Sequence, residues 1–345
     1  MIKIAFFDTK PYDRDSFDTL LDSKKMHIKY FPYKLDADTA SMAKGYDVVC
    51  AFVNDTLSKA VVDTLADEQV GLVAMRCAGF NNIDFKAAYG KIHVVRVPAY
   101  SPYAVAEHAF ALLLTLNRKT HKAYNRTREN NFNLAGLTGF DLHGKTIGII
   151  GTGKIGCILA EIAHGFGMDI LAYDNYPKDI DYITYVGLDE LLSKSDVISL
   201  HCPLTSETHH LIDAQAIAKM KDGVALINTS RGGLIDTKAL IDALKTRKIG
   251  MAGLDVYEEE ANYFFEDFSN DVITDDILAR LLSFNNVLLT SHQAFLTKEA
   301  LSNIAQTTLQ NIDDFFAGKP LANEICYQCK QKGGVCNHQK NGRCF

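Results

Sequence analysis

Three polar residues in the second half of the chain have the types needed to handle a carbonyl beside a carboxylate. Arg231 lies in Asn228-Thr229-Ser230-Arg231-Gly232, Glu260 closes Asp255-Val256-Tyr257-Glu258-Glu259-Glu260, and His292 lies in Ser291-His292-Gln293-Ala294-Phe295. Arginine is a permanently charged fork that binds a carboxylate through two parallel hydrogen bonds. A carbonyl oxygen that gains negative charge needs a proton donor. Histidine, with a reference pKa of about 6.5, exchanges protons near neutrality. A neighbouring carboxylate favours the protonated ring and fixes its orientation. Such a set suits hydride transfer to a 2-keto acid. Each residue also has a plainer reading. Arg231 could form a surface ion pair, although its place between an apolar run and Gly232-Gly233 argues against that. A lone histidine is more often a hydrogen-bonded buried side chain. Glu260 belongs to an acidic run, and spacing does not choose among Glu258, Glu259 and Glu260. His201, His209 and His210 are rival histidines, expected at the rim.

A hydride needs a carrier. Gly151-Thr152-Gly153-Lys154-Ile155-Gly156 fits G-x-G-x-x-G, follows an apolar run at 145–150, and opens a stretch with apolar residues at helical spacing. Gly151 permits the tight turn, Gly153 lets backbone approach a pyrophosphate, and Gly156 lets helix and sheet pack closely. The helix N-terminus offers N–H groups and a positive dipole end to phosphates. Asp174 stands twenty-three residues after Gly151, at the end of the next β-rich run. A carboxylate there accepts a ribose 2′-hydroxyl and repels a 2′-phosphate, so NAD is expected rather than NADP.

These residues need strand ends and helix starts to hold them. Short β-rich runs at 2–7, 28–33, 47–52, 72–77 and 93–97 alternate with amphipathic stretches such as 58–66. A second series falls at 145–150, 169–173, 197–201, 224–228, 251–256 and 287–291. Alternation of this kind predicts parallel α/β sheets. Ser101 as N-cap and Pro102 as first residue predict a long helix running to about residue 130, at a domain boundary. A second long helix is expected over 297–316, packing back on the first domain. The fold expected is therefore two doubly wound parallel-sheet domains, the first discontinuous.

Bulk composition agrees. The 345 residues suit two domains, and 47% hydrophobic with 23% charged residues is a globular balance. A net charge of −6 provides no basic face for nucleic acid or an anionic membrane. The longest apolar run, 109–116, is too short for a membrane span. The N-terminus reads as a strand, with no signal peptide, and the scattered cysteines Cys50, Cys77, Cys157 and Cys202 suit a reduced, cytoplasmic protein.

Taken together, the chain resembles the D-2-hydroxyacid dehydrogenases, most closely the fermentative bacterial D-lactate dehydrogenases. The resemblance rests on Arg76-Cys77-Ala78-Gly79-Phe80-Asn81-Asn82, Val97-Pro98-Ala99-Tyr100-Ser101-Pro102, the 151–156 loop, and the segments 228–232, 254–257 and 292–295, and runs from residue 1 to about 325. It implies a flavodoxin-like substrate domain at 1–100 and 298–325, a Rossmann NAD domain at 101–297, and a closing cleft. It implies reversible reduction of pyruvate to D-lactate with NADH. In that reaction Arg231 binds the carboxylate and keto group, His292 is the acid/base, and Glu260 is its partner. Backbone around Ala78 and Gly79 holds the carboxylate, and Phe52, Tyr100 and Phe295 shape the methyl end. Lys154, Ile155, Asp174, Cys202, Pro203, Thr208, Thr229, Ser230, Arg231 and Asp255 line the NAD site. A homodimer or homotetramer is implied as well. Related formate dehydrogenases pair their histidine with glutamine, so Glu260 favours keto-acid reduction. Two other readings stay open: a dehydrogenase for a bulkier 2-keto acid, and an NAD-sensing binding protein on this fold.

The last twenty residues, 326–345, depart from that pattern. Cys326, Cys329, Cys336 and Cys344 crowd them, beginning with C-x-x-C. Four soft ligands in a short tail could hold zinc or an iron–sulfur cluster, or they could be a flexible reduced tail.

Overall fold

The computed structural model describes residues 1–260, 263–327 and 337–345. It divides into two compact units, residues 1–101 with 296–345, and residues 102–295.

The first unit is built on a five-stranded parallel sheet. Its strands are β1 (Ile2–Phe6), β2 (Met26–Tyr30), β3 (Val48–Ala51), β4 (Leu72–Met75) and β5 (His93–Val95), in the order β2-β1-β3-β4-β5. This is the flavodoxin-like order, with its topological switch between β1 and β3. The central strands β3 and β4 are buried at every residue, because helices cover both faces of a parallel sheet. Edge strand β2 keeps alternating burial. The helix Lys59–Asp67 turns Val61, Val62 and Leu65 inward. The helix Lys298–Phe316 is capped by Thr297, whose hydroxyl accepts from the Ala300 N–H. It packs on the helix Pro11–Leu20 and on β4. One face of Ile304, Leu309 and Ile312 is what the 3.6-residue period buries.

The end of the chain docks on this same unit. Cys326 and Cys344 share a small buried cluster with Tyr89 packed against it. Phe345 stacks on the His93 ring with centroids 4.1 Å apart. Glu324 is buried and bridges His93 Nδ1 at 2.5 Å and the Cys344 N–H at 2.6 Å. Cys329 and Cys336, the other half of the expected metal site, lie outside the described residues.

The second unit has a seven-stranded parallel sheet. Its strands are β6 (Thr146–Ile150), β7 (Asp169–Tyr173), β8 (Ile183–Tyr185), β9 (Val197–Leu200), β10 (Val224–Asn228), β11 (Ile249–Leu254) and β12 (Val287–Leu289). They run in the order β12-β11-β10-β9-β6-β7-β8. This is the Rossmann order with one strand added, and its switch falls between β6 and β9. Separate apolar cores fill the two faces, one around Leu200, Leu226 and Leu254, the other around Ile149, Ala160 and Ile227.

Two sequence expectations change here. The single helix expected from 101 to about 130 is two, Pro102–Arg118 and Thr120–Arg128, separated by Lys119 in the left-handed region at φ 50°. The returning chain causes the break. Asn117 donates to the Phe140 carbonyl at 2.7 Å and accepts from the Phe140 N–H at 2.8 Å, while Lys119 Nζ reaches the Thr138 carbonyl at 2.6 Å. The helix Thr120–Arg128 buries no residue, so no apolar face holds it in line with the first. Strand β8 was not anticipated. It is a three-residue edge strand, below the length at which alternation is readable.

Candidate active site

The glycine loop leaves β6 and enters the helix Lys154–Gly165, as its spacing required. Each glycine answers a different local constraint. Gly151 sits at φ +96°, and a Cβ there would lie 2.7 Å from the Cys202 nitrogen. A Cβ on Gly156 would lie 2.0 Å from the Gly151 carbonyl oxygen, so only glycine lets the first helical turn rest on the loop. A Cβ on Gly153 would meet nothing within 4 Å. The space over Gly153 is therefore open, at a helix N-terminus whose N–H groups receive no side-chain cap from that residue. This is the cradle a pyrophosphate requires. Lys154 is exposed beside it, and Ile155 packs on the core beneath.

Asp174 follows β7 and holds the loop from the other side. Its Oδ2 accepts from Thr152 N at 2.5 Å and Thr152 Oγ1 at 3.0 Å, and its Oδ1 from Tyr176 N at 2.8 Å. Burial works to raise its pKa, but these donors outweigh burial and leave the carboxyl below its ordinary value. It is thus an anion at neutral pH, beside the place a ribose would occupy in a Rossmann unit.

Further along, Cys202 and Pro203 follow β9. Burial first, and the nearby Asp174 charge in addition, push the Cys202 thiol up to about 11. Thr208 closes this loop, donating to the Pro203 carbonyl at 2.7 Å and accepting from Thr205 N at 2.8 Å. His201 does not sit at the rim. Its Nε2 lies 2.8 Å from Ser199 Oγ, its Nδ1 is shut off from solvent without a partner, and burial lowers its pKa to about 4. The residue precedes Cys202 directly under Gly151, which draws it into the sheet end.

At the end of β10, Ser230 bonds the Leu200 carbonyl at 2.8 Å. Thr229 is buried, and its hydroxyl has no protein partner. An orphaned buried hydroxyl at the end of β10, on the same strand-end edge as the loop, is what a site awaiting a polar ligand presents. Donors, acceptors and open space therefore fit a dinucleotide. Arg231 comes next, with extended backbone and its Nη1 on the Ser230 carbonyl at 2.6 Å.

The ends of β11 and β12 bring the remaining catalytic candidates together. Glu260 Oε1 lies 2.9 Å from His292 Nδ1, and Glu260 Oε2 accepts from Tyr257 N at 3.0 Å. The structure thus singles out Glu260 from its acidic run as the histidine's partner. Glu258 turns to His210 instead, at 2.7 Å. The Phe265 ring lies 6.1 Å from the His292 ring.

Asp255 is fully buried and organises this corner. Its Oδ1 accepts from Thr290 Oγ1 at 2.6 Å and Gln293 N at 2.9 Å, its Oδ2 from Ala294 N at 2.8 Å, and its own carbonyl from His292 N at 2.7 Å. His108 stands 3.4 Å from Oδ1 and 3.1 Å from Thr290 Oγ1. His292 is left-handed at φ 52°, a conformation costly for a side chain with a Cβ. Asp255 holds it there. The sequence reading placed Asp255 among cofactor contacts and passed over His108. No motif flagged the pairing of the two, because it joins the end of β11 to the helix Pro102–Arg118 across a long stretch of chain. Phe295 follows, buried.

The other sequence-derived substrate residues lie in the first unit. Phe52 N donates to Asp55 Oδ2 at 2.5 Å, and Asn82 Nδ2 bonds the carbonyls of Phe52 and Asp55 at 3.0 and 2.7 Å. The buried Arg76 guanidinium stacks on the Phe52 ring at 4.8 Å. Arg96 holds the Ala78 carbonyl at 2.8 Å, and Cys77 Sγ lies 3.3 Å from the Gly79 carbonyl. Tyr100 is anchored through its carbonyl by Asn303 at 2.6 Å. Asp55, Arg76, Asn82 and Arg96 are thus supports that residue chemistry alone had not assigned.

A Rossmann unit with this loop, a terminal aspartate and an Arg–Glu–His set on its strand ends is that of an NAD-dependent oxidoreductase. A model of the D-isomer specific 2-hydroxyacid dehydrogenase NAD-binding domain matches residues 110–294, and the chain belongs to that family. It is 52% identical to the D-lactate dehydrogenase of Escherichia coli, over 94% of this chain and 100% of that protein. It is 55% identical to a 2-hydroxyacid dehydrogenase homolog of Haemophilus influenzae, over 94% and 99%. Among solved structures, the pyruvate reductase of Chlamydomonas reinhardtii is similar with a TM-score of 0.90 at 45% identity, over 94% of this chain and 98% of that one. No helix among the described residues is long and apolar enough to cross a membrane.

Proposed function

We propose that this chain catalyses the reversible reduction of pyruvate to D-lactate with NADH. The observation that carries the reading is the Glu260–His292 pair at 2.9 Å, beside an arginine-bearing turn on the strand-end edge of an NAD-binding unit. The similar E. coli protein, named D-lactate dehydrogenase, supports pyruvate as the substrate.

Gly153 and the helix N-terminus behind it would hold the dinucleotide's pyrophosphate and Asp174 its ribose, and NADH, when bound, would supply the hydride. Arg231 binds the substrate carboxylate and keto oxygen through its guanidinium, fixing which carbon is presented. Glu260 takes Nδ1 of His292, so proton exchange falls to Nε2. The ring gives its proton to the carbonyl oxygen on reduction and takes one from the hydroxyl on oxidation. Glu260 stabilises the imidazolium and keeps the ring from turning. Its backbone bond from Tyr257 fixes the carboxylate in turn. Assignment of Phe52, Ala78, Gly79 and Tyr100 to the substrate rests on the sequence resemblance.

The enzyme acts in the cytoplasm as a homo-oligomer on this reading. An apolar groove between the helices Pro102–Arg118 and Lys154–Gly165, lined by Tyr103, Phe110, Ile158, Ile162 and Phe166, supports self-association through the NAD-binding unit.

The test is loss of NADH absorbance with pyruvate, phenylpyruvate, oxaloacetate and glyoxylate, followed by the chirality of the product. Highest kcat/KM on pyruvate with a D product is expected. No turnover on any of these acids sinks the enzyme reading, and a higher kcat/KM on phenylpyruvate transfers the function to a bulkier acid.

A further inference from the structure

A cluster beside the catalytic turn has donors that hydride transfer does not use. His209, His210 and Glu258 offer two imidazole nitrogens and a carboxylate oxygen, all within 4.8 Å of one another. The two adjacent histidines would point apart on an extended chain. Here His210 adopts φ 51°, and the rings stack with centroids 3.9 Å apart and 27° between planes. His210 Nε2 lies 2.7 Å from Glu258 Oε1. The other Glu258 oxygen accepts from Thr237 Oγ1 at 2.9 Å, which fixes the carboxylate's direction. His209 is exposed, whereas His210 and Glu258 are half-buried.

We propose that His209, His210 and Glu258 form a binding site for one borderline divalent transition-metal ion, of the zinc, nickel or copper class. Two imidazoles and a carboxylate are the ligand set that suits such ions, and three protein ligands leave a fourth position for water. Ligands about 2.0 Å from a tetrahedral ion stand about 3.3 Å from one another. The His210–Glu258 pair is already near that spacing. The exposed His209 ring closes the remainder by rotating, a small rearrangement for a surface side chain. The ion takes the place of the proton shared by His210 and Glu258, so neutral rings favour its binding.

The site is coupled to the catalytic groups by backbone. The His210 N–H bonds the Gly233 carbonyl at 2.8 Å, two residues past Arg231. A Cβ on Gly232 would lie 2.1 Å from the Tyr257 carbonyl carbon and 2.4 Å from the Glu258 nitrogen. The Arg231 turn and the segment leading to Glu260 are therefore in direct backbone contact, with no side chain between them to absorb a shift. Drawing Glu258 toward an ion displaces the segment that aims Glu260 at His292, and turnover falls.

Zinc chloride titrated into the full-length, chelator-stripped protein tests this, with bound ion counted by competition with a chromogenic chelator and NADH oxidation followed in parallel. The wild type is expected to bind one zinc ion per chain more than His209→Ala, and His209→Asn is expected to match His209→Ala. Glu258→Gln is expected to weaken that ion at least tenfold. Zinc at saturation is expected to lower wild-type kcat severalfold, reversibly on adding chelator, and to leave His209→Ala unaffected. The side chain of His209 is exposed, so its removal leaves the core intact, which far-ultraviolet circular dichroism of that variant checks. Equal zinc stoichiometry and affinity in wild type and His209→Ala overturns the site. The extra ion without any change in turnover overturns the coupling.

Discussion

Glu260 and His292 lie thirty-two residues apart in sequence and meet at 2.9 Å through one carboxylate oxygen and Nδ1. Neither orients itself. Tyr257 N fixes the other oxygen of Glu260, and Asp255 fixes the backbone of His292. Removing the ring is expected to remove the proton donor without touching the dinucleotide cradle. His292→Ala should lower kcat for pyruvate about 10²- to 10⁴-fold with NADH affinity unchanged, the range general acid–base groups contribute. Stopped-flow NADH binding beside steady-state kinetics separates the two. Unchanged turnover would refute the assignment.

Asp255 makes a sharper test of positioning. Its carboxylate serves two backbone N–H groups and one hydroxyl in a fully buried setting. Asp255→Asn turns an acceptor-only group into one that presents N–H to N–H. Hydrogen bonds to a buried charge contribute about 1.5–3 kcal/mol each, so a loss of about 2–4 kcal/mol in the unfolding of the NAD-binding unit is expected. A fall in kcat should accompany it as His292 leaves its left-handed backbone. A denaturant midpoint equal to wild type would show that Asp255 holds nothing.

Two glycines of the phosphate loop predict opposite outcomes for the same substitution. Gly156→Ala drives a methyl to 2.0 Å from a backbone oxygen and should destabilise the unit itself. Gly153→Ala places the methyl in open space, so thermal stability should stay within about 1 kcal/mol of wild type. NADH affinity should nonetheless fall at least tenfold, because that space is the pyrophosphate's. Full affinity in Gly153→Ala would move the cradle elsewhere.

Much of this arrangement was legible in the sequence because it is local. The phosphate loop, Asp174 and the alternating runs each declare themselves within a few dozen residues. The set of Arg231, Glu260 and His292 was readable as types, but spacing could not separate Glu260 from Glu258. That choice is made by the path of the chain after β11, which sends Glu258 to His210 and Glu260 to His292. The break at Lys119 was invisible for the same reason. It depends on Phe140 returning to Asn117, a partner that helical periodicity does not report.

Asp174 also sets a preference that kinetics can read. Its anionic carboxyl repels a 2′-phosphate. Asp174→Ala should narrow the ratio of kcat/KM for NADH over NADPH by about tenfold or more, equivalent to about 1.4 kcal/mol. An unmoved ratio would refute the ribose assignment.

His201 gives a pH signature. Its folded-state pKa of about 4 lies below the value of about 6.5 expected when unfolded. Between these limits the unfolded chain binds the additional proton. Stability is therefore unaffected by this residue above about pH 6.5 and declines as the pH falls toward about 4, by up to about 1.4 kcal/mol per pH unit. The gap between the urea midpoints of wild type and His201→Asn at pH 7, 6 and 5 should stay constant only if the histidine carries no such slope. The expected result is a gap that changes steadily across that range.

The first unit is made of the two ends of the chain, with 102–295 inserted between them. On the ribosome, β1 through β5 emerge before residues 102–295, and the helix Lys298–Phe316 that covers β4 and the helix Pro11–Leu20 emerges only after them. The NAD-binding unit, continuous in sequence, is complete before its predecessor. The nascent chain consequently holds an open apolar flank on a half-built domain throughout translation of the domain that follows it.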